Sequence, residues 1–251
     1  AGEKWLRARR LGRALPELRS TVRTALGGRG LTETRVLACA VLLLDLGLLR
    51  AGSETYAREN DSYGLATVLR EHVSVRRGTA ELVFPAKSGM EGHVVVHDPA
   101  AVDVLRSLLR RPDPSPELLG WWSAADRSWH DVRSEHVNAH VKLLTGSDLT
   151  AKDFRTWHAS VLMALALGRA PEATSPTARK RVVREAYREV SSALCNTPAV
   201  ARGSYVDPAT VDLYRSGVLR RAGLARLQPD DAEPYDLVPV SASSALLELL
   251  T

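Results

Sequence analysis

Residues 31–50, LTETRVLACAVLLLDLGLLR, are apolar on nearly every face of a helix. A surface helix carries one apolar stripe, so a helix that is apolar all round must be enclosed by other elements. Its longest run, Val36 to Leu49, is interrupted by Asp45 and is shorter than the ~18 residues of a membrane span. The chain therefore needs a core that surrounds a helix. With 251 residues, 45% of them hydrophobic, it can form one large domain or two smaller ones.

The surrounding pattern gives the fold class. Residues 4–26 read as one or two Arg-studded amphipathic helices ending at Gly27 and Gly28. The period then changes: HVSV, AELVFPA and HVVVH, separated by Gly-containing turns, predict a three-stranded antiparallel meander over about residues 72–97 with Lys87 at the second turn. From Asp98 onward the signals are helical, apart from a loop at RRPDPSPE, 110–117, and Ser134 and Thr150 are expected as N-caps. SPTARKRVVREAYREVSSAL, 175–194, predicts a basic helix, and Thr197-Pro198 and Asp207-Pro208 each predict an N-cap followed by proline at the first helical position. The expected class is mainly α (α+β), a helical domain with a small three-stranded antiparallel sheet.

Composition narrows the function classes. The net charge of +5 points to a polyanionic partner, and only five of the 34 basic residues are Lys, so Arg, which grips phosphate oxygens with a rigid fork, dominates. Cys39 and Cys195 lack the spacing of a zinc site or disulfide scaffold, and a reducing cytoplasm is the expected location. No signal peptide is visible, no membrane partner is expected, and the opening on Ala1 reads as a fragment. There is no G-x-x-x-x-G-K-[ST] loop and no GxGxxG after a strand, so no nucleotide cofactor is expected. His136 and His140 stand at i, i+4 without the glutamate of HExxH and read as a solvated helix face; His93 and His97 lie too far apart along a strand for one ion. No metal is expected.

Arg50, Lys87, Arg155 and Tyr205 remain. Singly, each has an ordinary reading: an Arg at a helix end caps carbonyls, a Lys at a hairpin tip is solvated, and a Tyr near a helix corner is packed. Their settings are RAGSETYARENDSYGLATVLREHV at 50–73, AKSG at 86–89, TAKDFRTWH at 150–158 and NTPAVARGSYVDP at 196–208. In this order and spacing the chain resembles the catalytic domain of the poxvirus-type DNA topoisomerase IB family, in its bacterial branch, over residues 30–215. That resemblance implies a fold related to the tyrosine recombinase catalytic domain. It also implies relaxation of supercoiled double-stranded DNA by a monomer: one strand is cut through a 3′-phosphotyrosyl link, swivels, and is resealed.

By the same resemblance Tyr205 is the nucleophile and Arg50, Lys87 and Arg155 are catalytic. Asn196 falls where viral members carry a histidine, and its other reading is an N-cap beside Thr197. Lys152 and Tyr56 match positions that contact DNA or support the site. Arg179, Lys180, Arg181 and Arg184 form a basic face that lines the duplex or is simply solvated. The chemistry agrees with these roles. Forked guanidinium donors match the two non-bridging oxygens of a phosphodiester under attack. A lysine among other cations can give a proton to the leaving 5′ oxygen. Because a phosphotyrosyl diester keeps much of the energy of the bond it replaces, resealing requires neither ATP nor an obligatory metal.

Residues 1–226 are then expected to form the catalytic domain, and 227–251 an acidic linker and short helix. The small β-rich domain that completes the clamp in this family is expected to be missing from this chain. Two other readings stay open: a tyrosine recombinase, against which KDFRTWH weighs because recombinases typically carry histidine where Lys152 stands, and a non-catalytic DNA-binding module of the same fold.

Overall fold

Two long helices open the chain: α1 (Gly2–Leu26), which runs through Pro16, and α2 (Glu33–Gly47). The computed structural model describes residues 2–47, 49–52, 54–222 and 238–250, and the side chains of Thr55, Tyr56, Arg58 and Ser88 lie outside the described parts. The chain divides into two compact units, Leu15–Lys152, and Ala1–Ala14 with Asp153–Thr251.

In the unit Leu15–Lys152, every residue of α2 from Arg35 to Leu46 is buried, as its all-round apolarity requires. Asp45, which interrupts the apolar run, is buried too and accepts two bonds from Arg19, from Nε at 2.6 Å and Nη2 at 3.1 Å. Arg35 ties this helix to its neighbours. It donates to the carbonyl of Leu26 (2.9 Å), an open acceptor at the end of α1, and to that of Gly30 in the following turn (3.0 Å), and pairs with Asp103 at 3.0 Å.

The helix α3 (Glu54–Asn60) leads to the meander β1 (Val73–Arg76), β2 (Thr79–Pro85) and β3 (Glu91–Val96), in the order β1-β2-β3. Alternation sets the inner face: Ala80, Leu82 and Phe84 are buried with Val94 and Val96, and the strands pack on α2 and on α4 (Pro99–Leu109). Asp98 caps α4 by accepting from the Ala101 N–H at 2.8 Å.

Residues 120–131 depart from the helical expectation. GWWS and SWHD form a hairpin, β4 (Gly120–Ser123) and β5 (Ser128–Asp131), with Trp121 opposite His130 and Trp122 opposite Trp129. Cross-strand aromatic pairs stabilise such a ribbon, and Arg127 makes the turn at φ +56°. The next helix, α5 (Ser134–Thr145), corrects the N-cap expectation: Arg133 occupies the cap position and Ser134 is the first helical residue. The imidazole of His136 accepts from the Arg133 N–H at 3.1 Å, in place of a serine hydroxyl. His140 is buried instead of solvated, and among the described residues no cluster of His, Cys, Asp or Glu could hold a metal ion.

The second unit is built on α6 (Ala151–Arg169), α7 (Pro176–Ala193), α8 (Pro198–Val200), α9 (Pro208–Arg215), α10 (Val218–Arg221) and α11 (Val240–Leu250). The KDFRTWH segment begins α6, and Phe154, Trp157 and His158 are all in the core. The Trp157 indole N–H donates to Ser243 Oγ at 2.9 Å, which fixes α11 on α6. The acidic stretch 227–237 lies outside the described residues. No described helix is long and apolar enough to cross a membrane.

Candidate active site

Tyr205 ends a π-helical segment, Ala201–Tyr205, that continues directly from α8. Both capping expectations around it hold. Thr197 Oγ1 accepts from the Val200 N–H at 3.3 Å, and the Asp207 carboxylate accepts from the Ala209 N–H at 3.0 Å. Between these caps the chain is one residue too long for regular α-helix. The Val206 N–H reaches back to the Ala201 carbonyl at 3.0 Å, an i→i−5 bond that absorbs the extra residue.

The corner is anchored after the tyrosine. Val206 is fully buried and Asp207 is 4% exposed. The Asp207 N–H donates to Ser160 Oγ on α6 at 2.9 Å, and its carboxylate takes Arg9 Nη2 at 2.7 Å and Nε at 3.1 Å. Arg9 also donates to the Leu250 carbonyl at 2.9 Å, and Lys4 Nζ donates to the Gly203 carbonyl at 2.9 Å. Tyr205 itself is half-buried between these fixed points. Sequence reasoning missed Lys4, Arg9 and Ser160, because nothing in a local pattern links positions so far apart along the chain.

Arg155 lies one turn into α6 and is 4% exposed. Its Nη2 donates to the Leu194 carbonyl at 2.7 Å, and its Cζ lies 5.0 Å from the centre of the Tyr205 ring. A buried cation over an aromatic face is a favourable contact that holds both side chains in place. The contact puts a strong phosphate-binding cation and a phenol in the same corner of this unit.

Asn196 is positioned by the end of α7. The Cys195 N–H bonds the Ser192 carbonyl at 3.0 Å and the Asn196 N–H bonds the Ser191 carbonyl at 2.9 Å, with Cys195 in the left-handed region at φ +46°. This pair of bonds is the Schellman ending of a helix, and it makes Asn196 the second residue past the cap. The capping role considered for Asn196 belongs to Thr197.

Arg50 and Lys87 belong to the unit Leu15–Lys152. The Arg50 carbonyl accepts from the Leu65 N–H and the Ala51 carbonyl from the Ala66 N–H, both at 2.8 Å. Gly64 makes this approach possible: a Cβ there would lie 2.6 Å from Gly52 and 2.9 Å from the Arg50 carbonyl oxygen. Lys87 is exposed and starts the short 3-10 turn Lys87–Gly89 between β2 and β3, closed by an Ala86 N–H bond to the Met90 carbonyl at 2.7 Å. Lys152 is exposed in the first turn of α6, and Tyr56 lies on α3. Arg179, Lys180, Arg181 and Arg184 are all exposed on α7.

A family model described as "Eukaryotic DNA topoisomerase I, catalytic core" matches residues 2–213. The chain belongs to this family. Among its topoisomerase I relatives are a "DNA topoisomerase 1B" of Acanthamoeba polyphaga mimivirus, 27% identical over 73% of this chain and 56% of that protein, and the human "DNA topoisomerase I, mitochondrial", 29% identical over 78% of this chain and 32% of that protein. A "DNA topoisomerase 1" of Schizosaccharomyces pombe is 28% identical over 77% and 23%. The chain thus spans little more than half the mimivirus protein and a third or less of the other two. The mainly helical fold with a small antiparallel sheet is the one expected from the sequence.

Proposed function

We propose that this chain is the catalytic part of a type IB DNA topoisomerase of the poxvirus type, with residues 1–226 as its catalytic domain and duplex DNA as its substrate. The observation that supports this most is the contact between Arg155 and Tyr205, with the Arg155 Cζ 5.0 Å from the tyrosine ring, inside a family match that spans both. In this reading the Tyr205 hydroxyl gives up its proton to solvent water and its oxygen attacks a backbone phosphorus. A tyrosyl O–P bond forms at the 3′ end, the P–O bond to the 5′ carbon's oxygen breaks, and that oxygen leaves with a proton supplied by Lys87.

Arg155 and Arg50 hold the non-bridging oxygens as charge grows on them, and Asn196 donates an amide N–H to one of them. Lys152 and Tyr56 support the strand. Resealing is the same step reversed, with the 5′ hydroxyl as nucleophile and tyrosine as leaving group, so a single copy of the chain works without nucleotide or added metal.

The test is relaxation of negatively supercoiled plasmid in EDTA without nucleotide, by the parent and by Tyr205→Phe. Relaxation by the parent alone is the expected result. Plasmid binding without relaxation by either protein would mark a DNA-binding module, and strand exchange between two duplexes would mark a recombinase.

A further inference from the structure

A cleft of 870 Å³ opens within the second unit between α7 and α9, closed at one end by α8 and the π-helical segment. Its rim carries Arg179, Lys180 and Arg184 from α7, Arg202 from the π-helical segment and Arg215 from α9. Among the described residues Asp212 is the one carboxylate in its lining, and Arg215 already pairs with it at 3.0 Å. Its deeper apolar lining, the floor, comes from half-buried Val183 and buried Val211, with the exposed prolines Pro176, Pro198 and Pro208 at its edges. Tyr187 stands between floor and rim; burial pushes its hydroxyl above the ordinary tyrosine range, while Arg202 and Arg215 pull it back.

A cationic rim over an apolar floor limits what can fill the cleft. A phosphate ion would leave most of the volume empty. Duplex DNA offers phosphates and sugars to a basic surface but no apolar side chains to cover the floor. A protein segment with carboxylates flanking aliphatic or aromatic side chains satisfies both surfaces, as when an amphipathic helix lies in a groove.

We propose that this cleft is a docking site for an acidic, apolar-bearing segment of a partner protein. Docking there stands on the cleft alone, whether or not Tyr205 is a nucleophile. Its consequence reaches the tyrosine all the same: Pro198, Ala199 and Arg202 line the cleft and belong to the stretch that ends at Tyr205. An occupant would therefore touch the corner that carries the hydroxyl.

The test uses two fluorescein-labelled twelve-residue peptides, EELLEELLEELL and EESSEESSEESS, and a labelled DNA duplex, each titrated by anisotropy against the whole chain. The Glu-Leu peptide is expected to bind at least about tenfold more tightly than the Glu-Ser peptide. Val183→Asp, which puts a carboxylate into the floor, should weaken the Glu-Leu peptide by about tenfold while changing duplex binding by less than about twofold. Equal binding of the two peptides would show a charged surface without a floor and overturn the proposal. An equal loss of duplex and peptide would make the cleft a DNA seat and overturn it as well. Amide exchange on the unmodified chain needs no variant: the Glu-Leu peptide should slow exchange over 176–187 and 198–206, and protection confined to other segments would sink the idea.

Discussion

Two glycines in the same unit, Gly12 and Gly203, should respond to alanine with opposite signs. In a helix interior an exposed Gly→Ala change is worth about 1 kcal/mol of stability. At Gly12, in the middle of α1, an added Cβ would lie 2.5 Å from Trp157 Cε2 and 2.9 Å from its Nε1. Trp157 cannot step aside, because it is 1% exposed and its indole N–H is committed to Ser243 Oγ at 2.9 Å. Overpacking a core costs about 1–3 kcal/mol, and losing the partner of a buried donor about 1–3 more. Both outweigh the gain in helix propensity. The net expectation for Gly12→Ala is a loss of about 2 kcal/mol, or a fall in Tm of roughly 4–8 °C for a chain of this size. At Gly203 a Cβ would meet nothing within 4 Å, so Gly203→Ala should gain about 0.5–1 kcal/mol. Urea denaturation followed by far-UV circular dichroism gives both numbers. A stabilised Gly12→Ala protein would refute the reasoning, because it would mean that the Trp157 ring does not abut this glycine.

Three further expectations follow from the same geometry. Cys195 holds a left-handed φ of +46° at the end of α7, a conformation glycine adopts freely, so Cys195→Gly should stabilise the chain by about 1 kcal/mol in thermal melts. Burial holds the imidazole of His140 below the ordinary histidine range. The unfolded chain therefore takes up that proton first as pH falls, and stability should decline once pH drops below about 6.5, with a shallower decline in His140→Gln when unfolding free energy is measured at several pH values. Arg155→Lys keeps the charge but gives up the planar fork and the buried bond to the Leu194 carbonyl, so the plasmid relaxation rate should fall by about a hundredfold or more while the chain stays folded by circular dichroism with Tm lowered by several degrees.

What the sequence made legible depended on range. The buried helix α2, the three-stranded meander and the caps at Thr197 and Asp207 are written in local periodicity and in cap-proline pairs, and they appear where expected. The hairpin at 120–131 was hidden because its strands are four residues each and aromatic on both faces, which gives no alternation of apolar and polar residues. The N-cap at Arg133 was hidden because an imidazole three residues on, at His136, does the work of a cap side chain.

The candidate site divides in the same way. Arg155, Asn196 and Tyr205 stood out by motif, but the Schellman ending that places Asn196 uses a cysteine where glycine is the usual signal. The anchors of the tyrosine corner, Arg9 on Asp207 and Lys4 on Gly203, join residues from opposite ends of the chain. Only the folded structure brings those pairs together.

The proposed reaction turns on Tyr205 forming a covalent bond to DNA. The most direct measurement is to trap the chain on a labelled duplex with denaturant, digest it, and map the adduct by mass spectrometry while assaying the released strand for a free 5′ hydroxyl. The expected result is a 3′-phosphotyrosyl nucleotide on the peptide containing Tyr205, a free 5′ hydroxyl, and no adduct with Tyr205→Phe. An adduct on any other residue, a link through a 5′ phosphate, or an adduct that persists in Tyr205→Phe would contradict it.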